Sequence, residues 1–389
     1  MKKEIALVVH NLVLFDQMKP IVERYREKID IYVEVVRHTE QDNDWLEMAK
    51  NTYDFLKKEK YSPKYLDKPI EKKYKVLLTS GLYENLPNAE VKIRYNYGMG
   101  KDWLHNNYDI NFDYILVYGE RDGAFSEPFA RILEVGPIKF YNLKKNKTGK
   151  KKKVLYLPTY GEHSSIEYLY KELEKLQEKY EVIVKLHHGT TFLEPERVKL
   201  FKNFKTVYDH KEPLGNLLSK ADVVISDSSG AIYDAIAMKV PVIIYNTNTY
   251  ELYNDKIEAG EVVLLKENLV HKIDKAIELD KAILDTLTDK DKNKKLKKAF
   301  DMFFGCSAEE GVNRIFDLID KILLGKLDLN IYHAAKNNLM KEIEEPKKEI
   351  VRLNNEINVL KLELNQKQKV LNDILNSKSW RYTKIFRRK

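Results

Sequence analysis

The 389-residue chain contains one cysteine, Cys306, so it can close no intramolecular disulfide and offers no thiolate cluster for zinc. That fits a reducing compartment, with Cys306 packed as a small hydrophobe. Glycine and proline are scarce, at 15 and 11 residues, which leaves little room for long flexible linkers. No apolar run approaches the roughly 18 to 20 residues that span a bilayer, so membrane association, if any, is expected to be peripheral. Met1-Lys2-Lys3 ahead of an apolar run has only the outline of a signal peptide. Glu4, His10 and Asp16 interrupt it, and a first buried strand in a cytoplasmic protein is the expectation. Also missing are a Gly-rich dinucleotide fingerprint, a phosphate-binding loop with its Lys-Ser or Lys-Thr, a Gly-x-Ser-x-Gly elbow, and zinc-finger, ribonucleoprotein or helix-turn-helix signatures. Dehydrogenase, NTPase, hydrolase and nucleic-acid-binding readings fall away. No histidine, cysteine or carboxylate spacing suggests a metal site, and no cofactor is expected.

What remains is a globular composition, 43% hydrophobic and 33% charged, long enough for two cores and an appendage. Short β-rich runs alternate with amphipathic stretches, the pattern of parallel strands joined by crossover helices. The predicted class is α/β. Strands are expected at Ile5–Val9, Ile31–Val36, Val76–Thr79, Val91–Tyr95 and Tyr114–Val117, forming a first Rossmann-like domain over 1–143. Residues 144–153, with seven lysines and no apolar period, read as a basic linker. The strand pattern restarts at Val154–Leu157 and continues through Val182–Val184, Val223–Ile225, Val242–Ile244 and Val262–Leu264, giving a second Rossmann-like domain over 154–330. Two such domains in series face each other across a cleft.

From 336 to 376 the character changes to heptads. Ile343, Ile350, Ile357, Leu364 and Leu371 occupy one core position, and Leu353, Leu360 and Ile374 the other. Pro346 and Lys367 interrupt the second position, and Pro346 is expected to begin a helix rather than lie inside one. A self-associating coiled coil, and hence a homo-oligomer, is the expectation. Residues 377–389 mix Trp380, Tyr382, Ile385 and Phe386 with six Lys or Arg and no acid, a composition suited to an anionic membrane surface.

Three segments carry candidate chemistry. In Asp222-Val223-Val224-Ile225-Ser226-Asp227-Ser228-Ser229-Gly230 a buried strand runs into a small polar turn. A helix starting near Ser229 would aim free amides at a phosphate, with Asp227, Ser228, Ser229 and Gly230 lining the donor site. The alternative for Asp227 and Ser228 is helix capping. In Val182-Ile183-Val184-Lys185-Leu186-His187-His188, a strand delivers histidines to the sheet edge where α/β folds bind ligands. His187 is the candidate proton donor, and Lys185 and His188 join the donor site. Leu157-Pro158-Thr159, at the end of another strand, adds Thr159 to that site, while Ser164 and Ser165 read as caps.

Leu155-Tyr156-Leu157-Pro158-Thr159, Ile183-Val184-Lys185-Leu186-His187 and Asp222 to Ser229 with Pro241-Val242-Ile243-Ile244-Tyr245 occur in the order and spacing of a known family. Together they resemble the CDP-glycerol glycerophosphotransferases of teichoic-acid and capsule synthesis, within the two-domain GT-B glycosyltransferase-like fold. The resemblance spans about 75 to 250. It implies a CDP-activated donor held by the second domain, and a polymer or lipid-linked acceptor on the first. A departure falls in the first domain, where the family presents a His-Gly-Thr turn with a nearby lysine. This chain has Asn96-Tyr97-Gly98-Met99-Gly100-Lys101-Asp102, with Tyr97 in the histidine's place. Asn96, Gly98, Gly100 and Lys101 are then the acceptor-side loop, and Asp102 or His10 the candidate base. The ending Ser377-Lys378-Ser379-Trp380-Arg381-Tyr382-Thr383 resembles that of many bacterial surface-polysaccharide transferases. Two alternatives stay open: a nucleotide-sugar-dependent GT-B glycosyltransferase, and a non-catalytic scaffold that binds nucleotide or polymer.

Overall fold

The computed structural model describes residues 2–35, 43–83, 85–96, 98–99, 107–124, 126–127, 130–146, 149–209, 212–247, 259–327 and 331–376. Two compact units emerge, Met1–Leu327 and Asp328–Lys389. The first holds two parallel sheets. β1 (Ile5–Val9), β2 (Ile29–Glu34), β3 (Pro63–Leu66), β4 (Tyr74–Thr79), β5 (Ala89–Tyr95), β6 (Tyr114–Val117) and β7 (Arg131–Glu134) lie in the order β3-β2-β1-β4-β5-β6-β7. β8 (Lys153–Leu157), β9 (Glu181–Lys185), β10 (Val207–Tyr208), β11 (Val223–Ser226), β12 (Val242–Tyr245) and β13 (His271–Ile273) lie in the order β10-β9-β8-β11-β12-β13. Every described strand pair is parallel. The expected α/β class with two Rossmann-like halves is therefore found.

Central strands are mostly apolar because helices cover both faces; β1 and β11 are buried at every position. The strands that the pattern missed are β3, β7, β10 and β13. They lie at sheet edges, where a run such as Pro63-Lys64-Tyr65-Leu66 needs only one apolar side. One expectation is overturned. Val262-Val263-Leu264 lies in the helix Gly260–Lys266, with Leu264 buried among the residues that cover the second sheet. Local β-preference gave way to packing.

Helix Ala308–Leu323, which by position belongs with the second domain, returns to the first sheet. Val312, Ile315 and Ile319 join Met18, Ile21 and Val76 in one core. The Tyr25 hydroxyl donates to Asp320 Oδ1 at 2.7 Å, and Lys75 Nζ donates to the Leu323 carbonyl at 2.8 Å, which fixes the helix there. The heptad segment is a single helix, Ile331–Asn376, that passes through Pro346 instead of starting at it. Proline frees one carbonyl a turn earlier, and an exposed helix can hand that carbonyl to water.

Candidate functional site

Where strand order reverses, two neighbouring loops diverge and leave a crevice at the carboxyl ends of the strands. In the second sheet this happens between β8 and β11. Asp227 follows β11 and is fully buried. Its Oδ1 accepts from the Thr159 amide at 2.8 Å, and its Oδ2 from the Ser165 amide and hydroxyl at 2.9 and 2.8 Å. The Ser226 hydroxyl adds a bond to the Leu157 carbonyl at 2.7 Å. Asp227 thus ties the turn after β11 to the loop after β8, and does not line the crevice itself. Burial pushes its carboxyl up to about 6, against the opposing pull of those donors.

Beyond it, the turn Ser228-Ser229-Gly230 leads into the short helix Ala231–Ala237, two residues later than expected. The Ser229 hydroxyl oxygen accepts from the Ala231 amide at 3.3 Å. Gly230 meets the first domain here: a Cβ on it would lie 2.8 Å from the Met99 carbonyl oxygen, so only glycine fits. Met99, from the loop after β5, is buried in the second sheet's apolar cluster. The expected acceptor loop and donor turn are therefore in contact at Met99 and Gly230.

β9 delivers His187 to the same edge. It caps the helix His188–Leu193, its Nδ1 accepting from the Gly189 amide at 3.0 Å. This geometry selects the neutral tautomer that carries its proton on Nε2. The ring stacks on Tyr160 at 4.7 Å and 14°, and His188 lies 4.0 Å from it, centroid to centroid. Tyr160 is 41% exposed, and a Cβ on Gly189 would come within 2.6 Å of its ring. The following Gly161 has φ +75°. Its amide donates to Glu194 Oε1 at 2.9 Å and its carbonyl accepts from Arg197 Nη1 at 2.8 Å. Arg197 is paired in turn with Glu194 and Glu167. Lys185, at the end of β9, donates to the Asp209 carbonyl at 2.8 Å, and burial pulls its ammonium down to about 8.

At the carboxyl edge of the first sheet, His10 Nδ1 stands 3.3 Å from Glu34 Oε2, both residues buried. A proton on Nδ1 held by the carboxylate makes Nε2 the basic nitrogen. Asn96 is held at both ends, its carbonyl accepting from Gln17 Nε2 at 2.5 Å and its amide donating to both Asp122 oxygens at 2.9 Å. Around Gly98 there is open space. Gly100, Lys101 and Asp102 lie outside the described residues. Flanking that segment, Arg94 on β5 and Asp109 form a buried ion pair, Nε to Oδ1 at 2.7 Å, with the Ser126 hydroxyl donating to Oδ2 at 2.6 Å.

The structure thus brings Thr159, His187, His188 and the turn 227–230 to one sheet edge, with the loop around Met99 against it. Sequence reasoning missed Tyr160, Glu194 and Arg197. An aromatic-glycine pair directly after a strand was the available signal for Tyr160. Nothing local marks Arg197 as part of the site: Glu194 lies three residues before it, but Glu167 and the Gly161 carbonyl lie 30 and 36 residues away. Among the described residues, no group of three or more His, Cys, Asp or Glu could hold a metal ion, and no helix is long and apolar enough to cross a membrane.

Residues 139–321 match the family model described as CDP-glycerol:poly(glycerophosphate) glycerophosphotransferase. That span contains every second-sheet residue of the site. No curated protein matches the chain. Among solved structures, the wall teichoic acid polymerase TagF is similar at 15% identity over 84% of this chain and 90% of that one, with a TM-score of 0.54. A proposed UDP-N-acetylglucosamine 2-epimerase from Listeria monocytogenes is similar at 14% identity, over 84% and 98%, with a TM-score of 0.50. At these identities the structural likeness bears out the expected GT-B-like fold, and the family match bears out the expectation of a transferase.

Proposed function

With residues 139–321 in the CDP-glycerol glycerophosphotransferase family, we propose that this chain moves glycerol phosphate, or a similar group, from a CDP-activated donor to a hydroxyl of a bacterial surface polymer. One observation carries the reading: within the matched span, His187 and the Ser228–Gly230 turn share the carboxyl edge of the second sheet, and Gly230 touches the first domain's Met99. A nucleotide diphosphate placed against Ser228, Ser229 and Gly230 would lie between the two halves.

In the proposed step the acceptor oxygen attacks the phosphorus that bears glycerol. The bond to the CMP oxygen breaks, and its electron pair leaves with CMP. Charge then builds on the departing phosphate, where the His187 Nε2–H can donate a hydrogen bond to the leaving oxygen. The acceptor's own proton needs a base. His10, oriented by Glu34, is the described candidate, and Asp102 remains the other.

Incubating the protein with CDP-glycerol, CDP-ribitol and UDP-sugars, with and without a glycerophosphate polymer, tests this. The expected result is CMP release that rises with the polymer. Turnover of UDP-sugars alone would replace the reading with glycosyl transfer. Tight nucleotide binding with no turnover of any donor would replace it with the scaffold.

A cytoplasmic enzyme working at the membrane surface is part of the same proposal, as is self-association through the heptad helix. The tail 377–389 lies outside the described residues, and its sequence supports the membrane reading. Full-length protein should sediment with anionic vesicles at low salt, and protein lacking 377–389 should not. Equal partitioning of the two would remove the tail from the proposal.

A further inference from the structure

The helix Ile331–Asn376 forms the described part of its own compact unit. The core-position residues whose burial is described are open to solvent, with Leu360 at 59% and Leu364 at 61% exposed. Such a stripe needs an occupant. We propose that the occupant is the same helix of a second copy, aligned parallel and in register as a two-stranded coil. This deepens the self-association reading and is independent of the transferase reading.

The argument rests on which residues flank the stripe. From Ile343 to Leu360, Ile343, Ile350 and Ile357 hold the first core position with Leu353 and Leu360 at the second, the combination that favours two parallel strands; Leu364, Leu371 and Ile374 beyond it do not follow that combination. The position just before each first-core residue is Glu342, Glu349, Glu356 and Glu363. The position just after each second-core residue is Lys347, Asn354, Lys361 and Gln368. In a parallel pair these two sets face each other between chains, each glutamate meeting the residue five places on. The contacts are Glu342 with Lys347, Glu349 with Asn354, Glu356 with Lys361 and Glu363 with Gln368, two opposite-charge pairs and two carboxylate-amide pairs. In an antiparallel pair each set faces itself, so glutamates meet glutamates and lysines meet lysines. The charge pattern therefore selects one orientation as well as a self-partner. Arg352 already engages Glu349 and Glu356 within its own helix, at 2.7 and 3.3 Å, so the interchain contribution at those sites is shared. A parallel pair also starts the two basic tails side by side after Asn376, where two weak membrane contacts act together.

Orientation can be read in the full-length protein by single added cysteines, because the one native cysteine, Cys306, is buried. Ile343→Cys and Leu371→Cys are each oxidised alone and then as a mixture. The expected result is a covalent dimer from each variant by itself. Crosslinking only in the mixture would show an antiparallel pair and overturn the orientation while keeping self-association. A monomer by sedimentation at tens of micromolar, in wild type and variants alike, would overturn both. Charge gives an independent reading: Glu356→Lys should weaken the dimer about tenfold, and Glu356→Lys with Lys361→Glu should restore it. A Glu356→Lys dimer as tight as wild type would overturn the pairing. CMP release by the same proteins reports the transferase reading separately.

Discussion

The two halves of the globular unit hold their site loops with the same device in opposite electrostatic settings. Asp109 in the first half and Asp227 in the second are both buried carboxylates bridging two segments of chain. Asp109 faces the Arg94 guanidinium and the Ser126 hydroxyl. Asp227 receives two backbone amides and one hydroxyl, with no cation among those three partners. Fixing a loop with a full ion pair sets it firmly but leaves a stranded charge if either partner is lost. Fixing it with neutral dipoles avoids the partner and leaves the carboxylate under-compensated, which is why burial raises Asp227 to about 6. The loops after β8 and β11 are thus tied through a carboxyl whose hold on a proton is raised by burial.

The largest effect expected from breaking this comparison is at Arg94. Arg94→Leu leaves Asp109 buried without its cation and should destabilise the protein by about 3 to 5 kcal/mol in denaturant unfolding. The double change Arg94→Leu and Asp109→Leu should recover most of that loss, since an apolar pair of similar volume is tolerated where a lone charge is not. A single variant within 1 kcal/mol of wild type, roughly the worth of a surface pair, would mean that the pair is not buried as described.

Asp227 offers the next largest effect. Its folded pKa, about 6, lies above the ordinary 3.8, so the folded state binds the proton more tightly than the unfolded chain. Stability from this group is therefore highest at low pH, falls as pH rises from about 4 to 6, and is constant above that. Asp227→Asn cannot titrate, and it sets an amide donor against the Ser165 donors. The stability gap between wild type and variant should be larger at pH 4 than at pH 7 by about 2 to 3 kcal/mol. A gap independent of pH would show that Asp227 is not the raised carboxyl.

The class, the central strands and the polar segments that follow β9 and β11 were legible because buried parallel strands are almost pure apolar runs and because small polar residues follow them. The edges were not. Pro63–Leu66 and Arg131–Glu134 carry too few apolar positions to announce a strand, and Val262–Leu264 carries β-branched residues into a helix that packing selects. Of the site, residue types at strand ends could be read, and what holds them could not. Asp227 reads as a ligand or cap until its bonds to Thr159 and Ser165 are seen, about 60 residues away. The return of helix Ala308–Leu323 to the first core is likewise non-local, since its amphipathic pattern fits either sheet.

Activity changes should follow the donor side of the comparison. His187→Ala should lower the rate of CMP release by about a hundredfold, roughly 2.7 kcal/mol, by removing the Nε2–H hydrogen bond to the leaving oxygen. The loss should appear in kcat, with donor affinity by calorimetry little changed. A near-normal kcat would reduce His187 to the cap of helix His188–Leu193 that it also provides.

The smallest effect expected is at Tyr160, and it separates holding a catalytic group from being one. Its ring lies nearly parallel to His187 and leaves no space for a side chain on Gly189. Glu194 and Arg197 grip Gly161 beside it, so the ring is set before any ligand arrives. Tyr160→Phe keeps the stack and should retain kcat within about twofold. Tyr160→Leu removes the flat surface against which the imidazole rests, and should cost about tenfold in kcat, near 1.4 kcal/mol, because the Nε2 proton is then less often in line. A structural loss alone would depress Tm in both variants together. A positioning role predicts unchanged Tm for Tyr160→Phe, and no further loss when Tyr160→Leu is combined with His187→Ala. If Tyr160→Leu still lowers kcat tenfold in the His187→Ala background, the ring acts on the substrate directly and not through His187.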